Sequence, residues 1–483
     1  MQRGPPMSTT ATLTAFDPKS DGHISRELLE QLDDAPTSRE HWKIMFISGM
    51  GFFTDAYDLF VIGVVATLVT SEWHIASYQK SLLSSLALLT SAAGAIVFGR
   101  VADRVGRKKI YGFEVLVLAA GAIASAFAPG IWWLIGFRAI LGFGIGGDYP
   151  VSATIMSEYA NKSNRGRMVS LVFAMQGAGL IVGPLLAIML LSAGISHDLV
   201  WRLLLGFGAV PALSVFYLRR QLNETPRFQL AQMEAKDVEQ KAKQEGRATG
   251  MRGVLADRRL LRWLIGASVA WFLFDLVYYG NTISSPIIVK LVAPHATLIT
   301  QTSYILAIFA VAALPAYFLA AWTIDRIGRR LMQTGGFVMI ALAFFCLWLI
   351  PGATTTVAPF LILFGATYFF SEFGPNTTTF VYPAEIFPVG VRTSSHGIAA
   401  ASGKVGAFVG TYALTSLLPR IGFADTSAIV GFVALIGAVV TITTLPEPKG
   451  QSLEELTEES GQPPTSAVAL GLAHSRGLRP PPA

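Results

Sequence analysis

Cysteine is almost absent: Cys346 stands alone among 483 residues. That excludes an intrachain disulfide and any thiol-based metal site. Charge is scarce too, with 14% Asp, Glu, Lys and Arg against 52% hydrophobic residues, a balance foreign to soluble domains. The formal net charge of +6 comes from short basic loops. No Lys/Arg tract is interleaved with aromatics, so a nucleic-acid face is not expected. There is no metal-ligand cluster and no Gly-rich phosphate loop following a strand. The chain therefore does not read as an enzyme, and no cofactor is expected. The first 40 residues mix Pro, Ser, Thr, Asp and Glu without a basic start leading into a short apolar core, which argues against a cleaved signal peptide.

What the chain has instead is a succession of apolar runs, each long enough to cross the ~30 Å hydrocarbon core of a bilayer. Lipid offers the backbone no hydrogen bonds, so such spans are helical. The expected spans are 43–69, 79–102, 108–128, 131–158, 167–193, 200–218, 262–290, 299–324, 331–350, 356–384, 393–418 and 426–445. They divide the chain into a tail over 1–42, a six-helix bundle over 43–218, a polar connector over 219–261, a second bundle over 262–446 and a tail over 447–483. A short amphipathic helix is expected near 24–32. Lys and Arg concentrate in loops on one side: Arg104, Arg107, Lys108, Lys109, Lys162, Arg165, Arg167, Arg326, Arg329, Arg330 and Arg392. By the positive-inside rule that side is cytoplasmic, and both tails and the connector share it. The plasma membrane is the expected location, with a monomer as the working unit.

The sequence repeats itself. GRVADRVGRKK (99–109) after the second span answers AWTIDRIGRR (321–330) after the eighth, placing Asp103 and Asp325 222 residues apart. Glu158 and Arg165 answer Glu385 and Arg392 at an offset of 227. GFFTDAYD in the first span weakly echoes WFLFDLVYY in the seventh. Two parallel six-helix repeats with a site near the midplane describe one large class of transporters.

The stretch GFGIGGDYPVSATIMSE (142–158) carries Asp148 and Tyr149 at membrane depth behind four glycines. An intramembrane acid costs about 2.5–3.5 kcal/mol on insertion scales and faces protein or water rather than lipid. The glycines let neighbouring helices approach closely. Trp271, Asp275 and Tyr279, spaced by four, share one helix face and offer an indole N–H, a titratable carboxyl and a hydroxyl. Pro286 further along is expected to bend or loosen that helix. Gln176, Asn376 and Lys404 are polar groups deep inside other spans. For Gln176 and Asn376 taken singly, interhelical hydrogen bonding is the competing explanation; for Lys404 it is a buried ion pair. Asp55, Asp58, Glu114 and Arg138 are further intramembrane charges, Asp55 and Asp58 sharing a face. A static salt-bridge cluster is the alternative to a proton route through them. His396 reads better as a helix contact.

The loop G-x-x-x-D-R-x-G-R-K at Gly99–Lys108, degenerate at Ala321–Arg330, resembles the hallmark of the major facilitator superfamily. ETPRF (Glu224–Phe228) is similar to an element of its sugar-porter and phosphate-porter branches. GGDYPVSATIMSE, GFFTDAYDLF, YGFE, WFLFDLVYYG, FGPNTTTFVYPAEIFP and HGIAAASGKVGA resemble the phosphate:proton symporter family, and these matches reach nearly all the spans. The resemblance implies an all-α membrane fold of twelve transmembrane helices in two pseudo-symmetric bundles. It implies import of inorganic phosphate with protons by alternating access. It places Tyr149, Gln176, Trp271, Asp275, Tyr279 and Asn376 on the phosphate-coordinating positions with Lys404 close by, and assigns Asp55, Glu114 and Asp148 to proton movement. The donor set suits an oxyanion. Asp275 is intelligible there if neutral, when it donates to phosphate, and repulsive when ionised, which couples the two ligands.

Asp103, Arg104, Arg107, Glu158, Arg165, Asp325, Arg326, Arg329, Glu385 and Arg392 are expected to form a latch at the basic side. Orientation by positive charge alone explains the arginines but not the carboxylates recurring in both halves. The competing functions are the same fold carrying a sugar, organic acid or organophosphate, and a transporter-like nutrient receptor. The connector and tails are modest for the receptor.

Overall fold

In the computed structural model the described residues are 36–232 and 248–453, with 29, 31–34 and 456 beside them. The chain on either side of these, most of the helix expected at 24–32 and the middle of the connector lie outside that set. The described residues contain helices and no strand. The order is α1 Arg39–Trp73, α2 Ser77–Val105, α3 Arg107–Ala126, α4 Ile131–Tyr159, α5 Arg165–Ser192, α6 His197–Arg219, α7 Arg258–Val292, α8 Leu298–Ile327, α9 Arg329–Leu349 and α10 Val357–Ile386. The final stretch, Val389–Thr444, turns at Gly422, whose φ of 80° suits glycine alone. It therefore counts as α11 (392–421) and α12 (423–444).

Ten of these stretches are long and apolar enough to span a membrane. Adding α4, which carries Arg138 and Asp148 among its glycines, and dividing the last stretch at Gly422 gives twelve. Their limits fall within a few residues of the expected ones, with the sixth ending at Arg219 rather than one residue earlier. That single residue matters below. α7 continues through Pro286 as one helix of 35 residues. The bend falls elsewhere, in α10, where Gly374 leaves helical geometry just before Pro375 (φ −109°, ψ −108°).

Glycines set the helix spacing in the region the sequence singled out. A Cβ at Gly144 would lie 2.7 Å from the Glu114 carbonyl oxygen of α3, and Gly142 and Gly146 press as closely on α2. α4 is thus wedged between α2 and α3, which a helix with ordinary side chains could not be. Between the halves, Gly99 brings α2 against α11 at the basic end; a Cβ there would meet the Thr393 carbonyl at 2.8 Å. Gly63 brings α1 against α7 at the other end, where a Cβ would lie 2.8 Å from the Ile283 carbonyl. The halves therefore touch on both sides of the midplane, and the polar centre between them is enclosed.

Candidate functional site

Tyr149, Gln176, Trp271, Asp275, Tyr279, Asn376 and Lys404 converge at the centre, each no more than 3% exposed. They come from α4, α5, α7, α10 and α11, so the site exists only in the folded bundle. Lys404 reaches from α11 to donate to the Tyr279 hydroxyl at 2.7 Å and to the Asp275 carboxylate at 3.3 Å. Its ammonium also lies over the Tyr149 ring at 4.1 Å and the Tyr279 ring at 4.2 Å, a cation–π arrangement. The two phenols meet at 3.1 Å. Gln176 donates to Tyr149 at 3.2 Å and accepts from Tyr317 of α8 at 2.9 Å. Asn376 donates to Tyr317 at 2.8 Å and, through the same nitrogen, to Glu372. One chain of hydrogen bonds thus runs from Asp275 through both halves to Glu372. Gly403 leaves room on α11 for the Trp271 indole.

Aromatic layers close the site on both sides. Phe173 and Phe380 stack at 4.6 Å, with Phe52 edge-on to Phe380 at 4.9 Å, toward the basic end. Phe60 stacks on Tyr279 at 5.1 Å toward the other.

A second polar cluster lies within the first half. Arg219, at the end of α6, donates to Glu114 at 2.8 Å and to both oxygens of Asp148 at 2.7 and 2.8 Å. Gly51 makes the space: a side chain there would collide with that pair. Arg219 also lies 4.1 Å over the Tyr111 ring. Asp55 lines a small cavity with Glu114 and Asp148 and interacts electrostatically with Asp148, Arg219, Asp58 and Lys404. It stands between the two clusters.

At the basic end the repeated motifs interlock. Glu158 pairs with Arg107 of its own half at 3.2 Å and with Arg392 of the other at 3.3 Å. Glu385 pairs with Arg329 of its own half at 2.7 Å and with Arg165 of the other at 3.3 Å. Asp103 accepts from the Ser394 amide at the start of α11 (2.6 Å), and Asp325 from the Arg167 amide at the start of α5 (2.8 Å). Each carboxylate sits where a helix N-terminus favours negative charge. Glu224 of the ETPRF element accepts from the Lys108 amide at 3.2 Å, as Glu447 does from the Arg330 amide at 2.9 Å.

The model of the sugar (and other) transporter family matches residues 43–459. The chain is 35% identical to inorganic phosphate transporter 1-4 of Arabidopsis thaliana, over 90% of this chain and 96% of that protein. It is 36% identical to the putative inorganic phosphate transporter 1-13 of Oryza sativa subsp. japonica, over 91% and 95%. The chain belongs to this transporter family. Among solved structures it is similar to the major facilitator proton:xylose symporter bound to 6-bromo-6-deoxy-D-glucose, with a TM-score of 0.73 at 18% identity over 87% of this chain and 98% of that one. The inward-open xylose transporter from E. coli gives 0.61 at 20% identity, over 87% and 99%. These likenesses carry the fold: this transporter is a multi-pass, all-α major facilitator protein.

Against the sequence reading, the structure of the transporter brings the seven central residues together and also settles several partners. The rival explanation for Lys404, a buried ion pair, is present within the site itself, with Asp275. His396 is a helix contact, bonded to the Phe380 carbonyl at 3.1 Å and edge-on to Trp271. Arg138 donates to the Asp58 backbone carbonyl at 2.7 Å and interacts electrostatically with its carboxylate, which has no hydrogen-bond partner among the described residues. Asp55 and Asp58 share a face of α1 and interact electrostatically; Asp55 lines the cavity with Glu114 and Asp148, while Asp58 packs toward Gly208 of α6. Arg104 and Arg326 are exposed and stand outside the interlocked pairs.

Three residues were not singled out from the sequence. Arg219 reads as one of two basic residues ending a span, YLRRQ, where positive charge is ordinary. Tyr317 is a lone phenol in an apolar run. Glu372 carried a usable signal, since it is an acid inside the expected tenth span and a charge at that depth calls for an explanation.

Proposed function

We propose that the transporter imports inorganic phosphate together with protons by alternating access. The observation carrying this reading is the enclosed Lys404–Asp275 pair amid neutral donors. An ion pair buried this way loses several kcal/mol if one partner is left uncompensated. When a phosphate monoanion enters, Lys404 gains a second anionic neighbour. Protonating Asp275 restores the balance, because the anion takes over as the counterion of Lys404 while the neutral carboxyl donates to it. Removal of that proton restores the original pair and expels the anion. Proton and phosphate loading are then reciprocal. Tyr149, Gln176, Trp271, Tyr279 and Asn376 supply directional donors around a single fixed cation, which permits release.

Asp55, beside the Arg219-held Glu114 and Asp148, connects this site to the proton route. The interlocked carboxylates and arginines form the cytoplasmic gate, closed while the transporter loads from outside. Both termini and the connector lie in the cytoplasm, and the membrane is the plasma membrane. The names of the relatives and the donor chemistry together favour phosphate over a neutral sugar.

The test is uptake of radiolabelled phosphate into proteoliposomes with and without an inward proton gradient. Accumulation above equilibrium only with the gradient is expected. Uptake indifferent to the gradient, or excess phosphate failing to compete, sinks the reading. Orientation is checked by single cysteines in a Cys346→Ser background: Lys162→Cys should react only from the cytoplasmic side and Thr297→Cys only from outside.

A further inference from the structure

The last link of the central hydrogen-bond chain has no place in that account. Glu372 lies in the bend of α10, 0% exposed, and forms no ion pair among those described for this chain. The titratable groups facing it are phenols: Tyr278 of α7, Tyr317 of α8 and Tyr368 of α10 itself. α9 meets the bend with Gly336, which touches Gly374 and Pro375. The Tyr278 and Tyr317 hydroxyls lie within reach of the carboxylate, although one carboxylate oxygen and the Tyr278 hydroxyl make no close hydrogen bond among the described residues. The other oxygen holds the Asn376 amide nitrogen.

Hydrogen-bond capacity turns this into a constraint. An asparagine amide has two N–H donors. Those of Asn376 are committed to Tyr317 and to Glu372, so in this arrangement it offers an oxyanion no donor. An ionised glutamate can only accept and keeps the amide nitrogen turned toward itself. Once protonated, the same carboxyl can donate to the amide oxygen instead, and the amide turns over.

We propose that Glu372 is a proton-linked positioning residue, which binds a proton from the aqueous side as phosphate binds and thereby frees an Asn376 N–H for a phosphate oxygen. The proposal rests on the phosphate reading above. It adds a second proton-accepting group, distinct from Asp275 and in the same half. The step is one proton transfer: an O–H bond forms on the carboxylate as one breaks in hydronium or a buffer acid, and one hydrogen bond reverses direction.

The experiment is titration of the full-length purified transporter with inorganic phosphate in buffers of different ionisation heat, giving protons taken up per phosphate. Glu372→Gln presents an N–H to Asn376 as the protonated acid would. It should bind phosphate while taking up about one proton fewer than the wild type, and log Kd against pH should lose about one unit of slope. Asp275→Asn should lose a different proton, so that the double variant loses both. A proton count identical in wild type and Glu372→Gln overturns the proposal. If Glu372→Gln is not monodisperse, Asn376→Ala decides: it removes the amide through which Glu372 acts and should lose the same proton, and an unchanged count overturns the proposal equally. Wild type that binds no phosphate sinks the parent reading, whereas an unchanged count alone sinks only this one.

Discussion

The two halves of the molecule bury carboxylates in opposite ways. In the first, Glu114 and Asp148 share Arg219, a planar, permanently charged group that meets both with short bonds. In the second, Asp275 has a lysine at 3.3 Å and Glu372 has only neutral neighbours. Arginine holds its charge under any physiological condition, whereas lysine is a compact charge on a flexible stem, able to change partners. The pseudo-symmetric repeat therefore does not extend to the chemistry. Around Arg219 the first half fixes the charges of Glu114 and Asp148, and the second leaves those of Asp275 and Glu372 exchangeable, beside the site where the anion would sit.

The largest effect should come from breaking the fixed side. Arg219→Ala leaves two buried acids without their cation, a loss of about 3–5 kcal/mol for a broken buried pair. Little monodisperse protein is expected by size-exclusion chromatography. Combining it with Glu114→Leu and Asp148→Leu should recover stability, since apolar replacement of a whole buried ionic group is often tolerated. If that triple variant also showed wild-type proton-driven uptake, the first-half cluster would have no part in the proton route.

On the exchangeable side, Asp275→Asn should fold, because the amide keeps the size and a hydrogen-bonding role. Lys404 then has no competing anion. Phosphate binding should persist and become less dependent on pH, while net proton-driven uptake falls at least about 100-fold, the loss of roughly 2.7 kcal/mol of transition-state free energy. Asp55→Asn should impair the same uptake but retain phosphate counterflow. Wild-type uptake by Asp275→Asn would remove Asp275 from the coupling mechanism.

How much of this contrast is written in the sequence depends on the kind of residue. Spans and the latch are local and repeated: the charge pattern of 99–109 recurs at 321–330, and both copies fold into the same ion-pair arrangement. The seven central residues could be placed because each is a polar group, or one in register with a polar group, inside an apolar run. What could not be read is which acid meets which cation. Arg219 lies 71 residues from Asp148 and 105 from Glu114, and only the gap left by Gly51 shows that its side chain turns inward. Tyr317 is distinguished from any other span phenol solely by the amides it joins, which are 141 residues before it and 59 after.

The basic end gives a smaller effect that sharpens the comparison, because there the halves do match. Asp103→Asn weakens the cap on α11, and Asp325→Asn weakens its counterpart on α5. Each should slow uptake roughly tenfold, about 1.4 kcal/mol on the barrier, with equilibrium phosphate binding unchanged. Equal losses are expected from the two variants, since the caps on α11 and α5 mirror each other. Lost binding in a folded Asp103→Asn protein would mean that it is not a gate residue.

The smallest effect on phosphate binding is expected at Tyr317, and its sign carries the information. Its hydroxyl joins Gln176 of the first half to Asn376 of the second, so it belongs to the closed, ligand-free arrangement. Tyr317→Phe leaves the Gln176 oxygen without its donor, which costs about 1–3 kcal/mol for a buried polar group left unsatisfied. It also returns one Asn376 N–H. Without phosphate the variant should melt at a lower temperature than the wild type. With saturating phosphate the gap should narrow, because the freed amide can serve the anion and the ligand no longer has to break that link. The thermal shift caused by phosphate should therefore be larger in Tyr317→Phe than in the wild type. A smaller shift would mean that the Tyr317 hydroxyl itself coordinates phosphate, making α8 part of the binding shell rather than a tie between the halves. The two outcomes differ in sign, so a thermal melt at matched phosphate concentrations separates them even if each change is only a few degrees.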